Sequence, residues 1–293
     1  MIRRLRTLIV GTTFCLVIAA GAQPPSSSSA QAIQQSTRPA ELVGRVVENE
    51  LNAKDEGHFQ YRRWRQTTDG TRVKEVVETA AGTVDRLVAV DGQPLTAKQQ
   101  AKEDTRLHDL LLHPERQQQH QKEQRQDDET ERMMFRELPV AFLYEYAGTE
   151  RGQWGELICL RFVPNPNYQP PSRETSVYKA MSGKLWVALP EYRLARIEAT
   201  LFQEVRFGWG ILGHLDKGGH FYIEQSKIGP SRWDVTYQDI QFDGKALLFK
   251  TICLHEVEKT SEFRSVPESL SLAAGIEMLK EGNRQIIASS NQR

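Results

Sequence analysis

The sequence predicts an α+β fold, one antiparallel β-sheet curved around helices. In residues 192–207 apolar and charged side chains alternate, which is the period of two of a strand with one buried face. Short turns rich in glycine, proline and aspartate separate most of the other apolar segments, and such turns join antiparallel neighbours. Helical spacing is found mainly in one N-terminal segment and one charged interruption.

Composition is typical of a globular protein and gives no sign of a nucleic-acid partner. The chain has 293 residues, of which 39% are hydrophobic and 26% charged, and its formal net charge is zero. A nucleic-acid-binding protein usually has more basic than acidic residues, whereas this chain has equal numbers of the two. With no repeat and no strong boundary, we expect one domain over residues 40–265 and a C-terminal tail over residues 266–293.

Residues 1–22 have the three parts of a secretory signal peptide. Arginines precede an apolar run over residues 8–20, and small residues offer a cleavage site near Ala22. The run is shorter than the ~20 apolar residues of a membrane-spanning helix. We therefore expect a periplasmic or otherwise exported protein with at most transient membrane contact. A flexible linker is expected over residues 23–39, which are rich in Ser, Gln and Pro.

A helix and a set of hairpins begin the domain. Apolar residues recur at three- and four-residue spacing over residues 40–54, which predicts an amphipathic helix with Glu50 on its polar side. Strands are predicted over residues 59–66, 71–79 and 84–90, joined by turns that contain Asp-Gly.

Basic side chains on the first of these strands are expected to form ion pairs. Arg62, Arg63 and Arg65 lie on that strand, and Glu75 and Glu78 lie on the next one. Cross-strand ion pairs on a solvated face are a better interpretation than a basic–aromatic binding patch.

Residues 96–138 form a long charged insert. Pro114 interrupts it, and residues 115–132 carry no large apolar side chain, so they cannot bury a face. The insert is predicted to be either a solvated helix that projects from the domain or a mobile segment. It is also a candidate arm for docking an envelope protein partner, which is the alternative to the ligand-binding function given below.

Further strands are predicted after the insert. Turns are expected at Gly229-Pro230 and Asp243-Gly244, a short helix over residues 172–181 and another over residues 270–279. The strands span residues 140–146, 154–163, 184–189, 192–207, 220–228, 232–242 and 245–258.

Two cysteines remain once the signal peptide is removed. Cys159 and Cys253 both lie in apolar strand-like segments. In an exported protein they either pair in one disulfide or stay as two separate buried thiols. Neither has a neighbouring Cys or His pair at metal-ligand spacing, so no metal site is predicted.

The motifs that suggest catalysis or a cofactor lack the structural context that each of them requires. Residues 208–213 match G-x-G-x-x-G, but the residues that follow are too short and too rich in glycine to open the helix that a dinucleotide site needs. His214, Asp216 and His220 form the one His/Asp cluster, which leaves a hydrolase as a third hypothesis. We assign no catalytic residue, no metal and no cofactor.

The order of elements resembles the LolA/LolB-like family, the outer-membrane lipoprotein-sorting proteins of the bacterial periplasm. The resemblance covers roughly residues 40–259 and rests on a helix followed by hairpins. It also rests on a glycine-led hairpin that begins at Gly183 and on Asp243-Gly244-Lys245 ahead of the last strand. The chain departs from the family at Ala188, where the hairpin often has an acidic residue, and in the length and charge of its insert.

The resemblance implies a strongly curved incomplete barrel whose apolar concave side is covered by helices and holds acyl chains. In the family an arginine on the concave face helps to hold the covering helix, and the sequence does not show which residue would do so here. The function expected is therefore non-enzymatic binding of a lipid or an acylated protein. The residues expected to contact the chain are Ile197, Leu201, Val205 and Phe207 on the sheet, and Trp209, Ile211 and Leu212 on the following loop.

Overall fold

The structure, a computed structural model, describes residues 29–53, 56–207, 213–246 and 250–290. The helices are α1 Ser29–Ser36, α2 Pro39–Asn52, α3 Ala97–Leu112, α4 Pro114–Ala141 and α5 Leu272–Ser290, with a short 3-10 helix at Glu174–Ala180. The strands before α3 are β1 His58–Thr67, β2 Gly70–Thr79, β3 Gly82–Val90 and β4 Gln93–Pro94. The later strands are β5 Phe142–Gly152, β6 Gly155–Pro164, β7 Met181–Ala188, β8 Arg193–Leu201, β9 Val205–Phe207, β10 Gly213–Leu215, β11 His220–Lys227, β12 Trp233–Ala246 and β13 Lys250–Val266.

The described strands form one thirteen-stranded antiparallel sheet that is not closed into a barrel. Its order is β4-β3-β2-β1-β13-β12-β11-β8-β7-β6-β5, and β10 pairs with both β12 and β9 beside this path. The predicted α+β fold with an open, curved antiparallel sheet is confirmed.

One row of side chains can be followed across nine strands on a single face of the sheet. Directly paired residues of neighbouring strands point to the same side, so the pairing register identifies the row. From β5 to β2 it consists of Tyr146, Leu160, Leu185, Ile197, Ile223, Gln238, Glu258, Arg65 and Arg72. We call the face that carries this row the inner face.

Helices cover opposite faces at the two ends of the sheet. At the β5–β8 end, α2 lies on the inner face and buries its apolar stripe, Leu42, Val43, Val46 and Val47. At the β2–β3 end, α3 and α5 pack on the other face. The register shows this, because Val76 shares the inner face with Tyr61, whereas its neighbour Val77 contacts the helices.

The segment expected to be a linker is helical from Ser29 onwards. Ser29 Oγ and the Ala30 backbone N–H donate to one carboxylate oxygen of Glu156, at 2.8 and 3.0 Å, and Ala30 is fully buried. An acidic group at a helix N-terminus accepts hydrogen bonds from free N–H groups and interacts favourably with the positive end of the helix dipole. Both effects stabilise this short helix. Residues 23–28 and the expected signal peptide lie outside the described residues. Within the described part, no helix is long and apolar enough to cross a membrane.

The charged insert does not project from the domain as a single arm. Pro114 separates two helices, and α3 buries Leu107 against α5 and the sheet. The end of α4 returns to the inner face with Met134, Phe135 and Leu138. Both ends of the insert are therefore part of the folded body.

The Asp243-Gly244 turn was predicted wrongly, because both residues lie within β12. They pair in register with Cys253 and Ile252 of β13. Gly244 is needed for close approach: a Cβ at this position would collide with the backbone carbonyl of His214 on β10. Glycine here therefore allows the close approach of β10, which pairs with β12 and places Leu215 opposite Gly244.

The two cysteines do not form a disulfide. Cys159 on β6 is buried and Cys253 on β13 is exposed, and both are free. Four strands lie between β6 and β13 in the sheet, whereas a disulfide needs Cα atoms within about 7 Å of each other. The alternative prediction of two separate thiols is therefore correct, but only Cys159 is buried as that prediction expected.

Candidate ligand-binding groove

Two adjoining apolar cavities lie on the inner face under α4 and the 3-10 helix. The larger has a volume of about 400 Å³ and the smaller about 170 Å³. Met134, Tyr178, Met181 and Phe221 line both cavities, so the two adjoin each other, and we call them together the apolar groove. The remaining apolar walls are Val177, Phe207, Leu215 and Phe242 in the larger part, and Phe135, Leu138, Phe142, Tyr144, Phe162, Leu185, Ile197 and Ile223 in the smaller part.

Two tyrosines in the groove wall hold the C-terminal end of α4 in place. Tyr144 donates its hydroxyl proton to the Leu138 carbonyl at 2.8 Å, and Tyr178 donates to the Met134 carbonyl at 3.1 Å. Burial raises the pKa of both hydroxyls well above the ordinary value, so both stay protonated as donors. Their rings pack against Phe142, with centroids 6.2 Å and 5.1 Å away. The aromatic wall and the covering helix are therefore one unit.

A buried ion pair fixes α2 to the sheet beside the groove. Arg193 Nε and Nη2 donate to the two carboxylate oxygens of Glu50 at 2.9 and 2.7 Å, and Leu194 N–H donates to the same carboxylate at 2.8 Å. Sequence periodicity placed Glu50 on the solvated side of the helix, and that prediction was wrong. Glu50 lies in the last turn of α2, from which a carboxylate can reach a neighbouring strand.

The sheet residues expected to contact a ligand divide into two groups. Ile197 lines the smaller part of the groove, and Phe207 lines the larger part. Leu201 is fully buried and Val205 nearly so, and both pack in the core beneath the groove. The structure thus brings two of the four residues to the groove surface. A contact between any of them and a ligand remains a prediction.

Trp209, Ile211 and Leu212 lie outside the described residues. The sequence analysis missed the walls formed by α4 and the 3-10 helix, among them Met134 and Val177. A short apolar cluster at the end of the charged insert was the only local signal for this position. Nothing in local periodicity shows which strands such a cluster will cover.

The titratable clusters do not line the groove. Ligand atoms of two groups of side chains lie within 4.8 Å of one another, the first Glu204, His214 and Asp216, the second Asp243, Cys253 and His255. His214 Nε2 is 3.3 Å from Asp216 Oδ1, and His220 does not join this group, so the predicted three-residue cluster forms only in part. None of these side chains lines the groove.

Comparison with known proteins gives two similar solved structures. One is a LolA superfamily protein from Nitrosomonas europaea, 9% identical, with a TM-score of 0.25 over 79% of this chain and 96% of that one. The other is a domain from Vibrio parahaemolyticus described as an outer membrane lipoprotein-sorting protein, 8% identical, with a TM-score of 0.29 over 82% and 99%. Both descriptions name the group that the sequence resembles. At such low TM-scores the backbones diverge widely, and no residue role is transferred from them.

No protein-family model matches the chain, and no curated protein matches it.

Proposed function

We propose that this chain is a non-enzymatic, exported protein that binds an acyl chain of a lipid or lipoprotein in the apolar groove. The observation that carries the proposal is the pair of adjoining apolar cavities between the inner face and α4. Each methylene transferred from water to such a space contributes about 0.8 kcal/mol, so a chain can bind there without specific polar contacts. Export and the envelope origin of the ligand rest on the N-terminal sequence pattern.

The groove walls support a ligand site because several of them are not fully packed. Phe207, Phe221 and Phe242 are only half-buried, whereas the neighbouring core residues Leu185 and Leu201 are almost completely buried. Half-buried aromatic side chains around a cavity of 300–1,000 Å³ are typical of small-molecule sites. The larger part of the groove falls in this range.

A separate pocket with charged walls adjoins the groove between α2 and α4. It has a volume of about 450 Å³ and shares Glu131 and Phe135 with the smaller part of the groove. Glu50, Asp128 and Arg132 also line it. The smaller part of the groove therefore lies next to a pocket with charged walls.

The test is to fill the groove and measure chain binding. Val177→Trp places an indole in the larger part, and Val163→Trp adds the same side chain at an exposed position of β6 as a matched control. Binding of palmitate to the purified protein is measured by calorimetry, and co-purified lipid by native mass spectrometry. We expect at least tenfold weaker binding for Val177→Trp and unchanged binding for Val163→Trp.

Two results would reject the proposed function. One is a protein that neither carries lipid after purification nor binds palmitate. The other is equal binding by Val177→Trp and the unmodified protein while circular dichroism shows both to be folded.

A further inference from the structure

The inner face changes from apolar to basic along a single row of paired residues. Ile197 and Ile223 lie beside the groove, and Gln238 and Glu258 follow on β12 and β13. The row ends at Arg65 on β1 and at its direct partner on β2. From β11 to β1 there are three strand-to-strand spacings, or about 14 Å. One elongated molecule can therefore contact both ends.

A further cavity, separate from the groove and from the pocket between α2 and α4, lies at the basic end of this row. It has a volume of about 340 Å³ and lies where the β1–β2 turn meets the start of β13, with Arg63, Arg65, Arg72 and Lys74 among its walls. We call it the basic pocket. Leu254 also lines it and is 44% exposed.

Leu254 connects the basic pocket with the apolar groove. It pairs in register with Phe242, which is a wall of the larger part of the groove. An apolar contact therefore continues from the groove to the edge of the basic pocket.

The four cations of the basic pocket face one another in like-charge pairs. Arg65 lies directly opposite Arg72, and Arg63 lies directly opposite Lys74, on the same face of neighbouring strands. Like charges in directly opposed positions destabilise a strand pair unless an anion lies between them.

Protein carboxylates neutralise three of these four cations. Arg65 pairs with Glu256, and Arg63 Nε is 3.3 Å from Glu258. Lys74 Nζ is 2.8 Å from Asp85, which also pairs with Arg106 of α3. Asp69 lies in the turn at the pocket rim.

Arg72 has no ion pair with any of the described residues, and it is exposed. Because it faces Arg65, an oxyanion between the two guanidinium groups could accept hydrogen bonds from both, and it would give Arg72 the anionic partner that Arg65 already has in Glu256. Planar guanidinium groups match phosphate and carboxylate oxygens in this way.

We propose that the basic pocket binds the anionic group of an amphiphile whose apolar chain occupies the groove, with Arg72 and Arg65 as the binding residues. This inference rests on the proposed function and specifies its ligand: an acyl chain that ends in a compact oxyanion such as a phosphate monoester.

The test compares ligands that share one chain and differ in the anionic group. Binding of palmitoyl lysophosphatidic acid and of uncharged palmitoylglycerol is measured by calorimetry below their micelle-forming concentrations, together with glycerol 3-phosphate. We expect the phosphate-bearing lipid to bind at least about tenfold more tightly than palmitoylglycerol, the size of one hydrogen bond to a charged group. The preference should shrink as salt is added.

Arg72→Glu and Arg264→Glu form a matched pair of variants. Arg264 is an exposed arginine on β13 whose register partner is Gln60, so it lies outside the basic pocket. Arg72→Glu should abolish the preference for the phosphate-bearing lipid and leave palmitoylglycerol binding unchanged, whereas Arg264→Glu should change neither.

The outcomes separate this inference from the proposed function. Equal binding of both lipids overturns the anionic-group site and leaves the acyl-chain function standing. Glycerol 3-phosphate binding as tightly as the lipid shows a free-phosphate site and overturns the amphiphile. If neither lipid binds, the proposed function fails, and this inference fails with it.

Discussion

Arg193 of β8 and Glu50 of α2 form a buried two-point ion pair. Their side chains are only 10% and 11% exposed, and both carboxylate oxygens are engaged. A Leu194 backbone N–H donates to the same carboxylate, so the end of α2 is fixed to the first residues of β8. This pair connects the helix that covers the inner face with the strand that carries Ile197.

Breaking this ion pair should strongly destabilise the protein. Arg193→Ala leaves a buried carboxylate without its cation, a change that typically costs about 3–5 kcal/mol in the free energy of unfolding. Urea denaturation measures the loss. The control is Arg206→Ala, which removes a fully exposed pair with Glu204 and should cost far less. Similar losses for the two variants would contradict the role assigned to Arg193.

The two thiols should differ in reactivity. Burial is the main cause that raises the pKa of Cys159, and desolvation together with the Asp243 carboxylate raises the pKa of Cys253 as well. The difference in reactivity therefore comes from access, because the Cys159 side chain is almost inaccessible. Cys253 is exposed on β13. Alkylation of the native protein with iodoacetamide, followed by peptide mass spectrometry, should label Cys253 and leave Cys159 unlabelled until denaturant is added. Recovery of a peptide that links Cys159 to Cys253 would contradict the structure.

Stability should fall in alkaline solution because of the groove tyrosines. Burial raises the pKa of Tyr144 and Tyr178 in the folded protein above the value of about 10 that an unfolded tyrosine has. The folded state therefore holds protons that the unfolded state releases, and the stabilisation present below pH 10 is lost as the pH rises above it.

Urea denaturation between pH 8 and pH 11 tests this, with the double variant Tyr144→Phe, Tyr178→Phe for comparison. The variant should be less stable at pH 8, since two carbonyls lose their donors, and its stability should fall less steeply above pH 10. Parallel curves for the two proteins would mean that other groups cause the alkaline loss.

The C-terminal helix should be essential for stability at the β2–β3 end. Leu279 is fully buried with Ile276 and Leu107 against Val77. Leu279→Ala should cost about 2–5 kcal/mol, as is usual when a buried leucine is truncated. Leu112→Ala, at a side chain 60% exposed, is the control and should cost much less. A small loss for Leu279→Ala would show that α5 is not part of the cooperative fold.

Local sequence patterns determined the fold class and most of the secondary structure of this protein, although the predicted strand over residues 192–207 is two strands, β8 and β9. The predicted helix over residues 40–54 corresponds to α2, and the predicted strand over residues 59–66 corresponds to β1. Periodicity of two or of 3.6 depends only on neighbouring residues and on one buried face, so it can be read without knowing the partners.

The tertiary structure alone decided what covers the sheet and which charges meet. Arg62 pairs with Glu75 as the sequence predicted, but Arg63 and Arg65 pair with carboxylates of β13. That strand is almost 200 residues away in the sequence, and nothing in local spacing specifies the pairing of β1 with β13.

The ligand-binding groove depends on such long-range choices throughout. Met134 lines the groove from the end of a charged helix, and Phe242 lines it from β12. The Asp-Gly pair had led to the prediction that this strand ends at residue 242, whereas it continues to Ala246. A side chain's position along its own element was set by the sequence. Which other elements it faces was set by the packing of the whole sheet, because burial rewards contacts regardless of their separation along the chain.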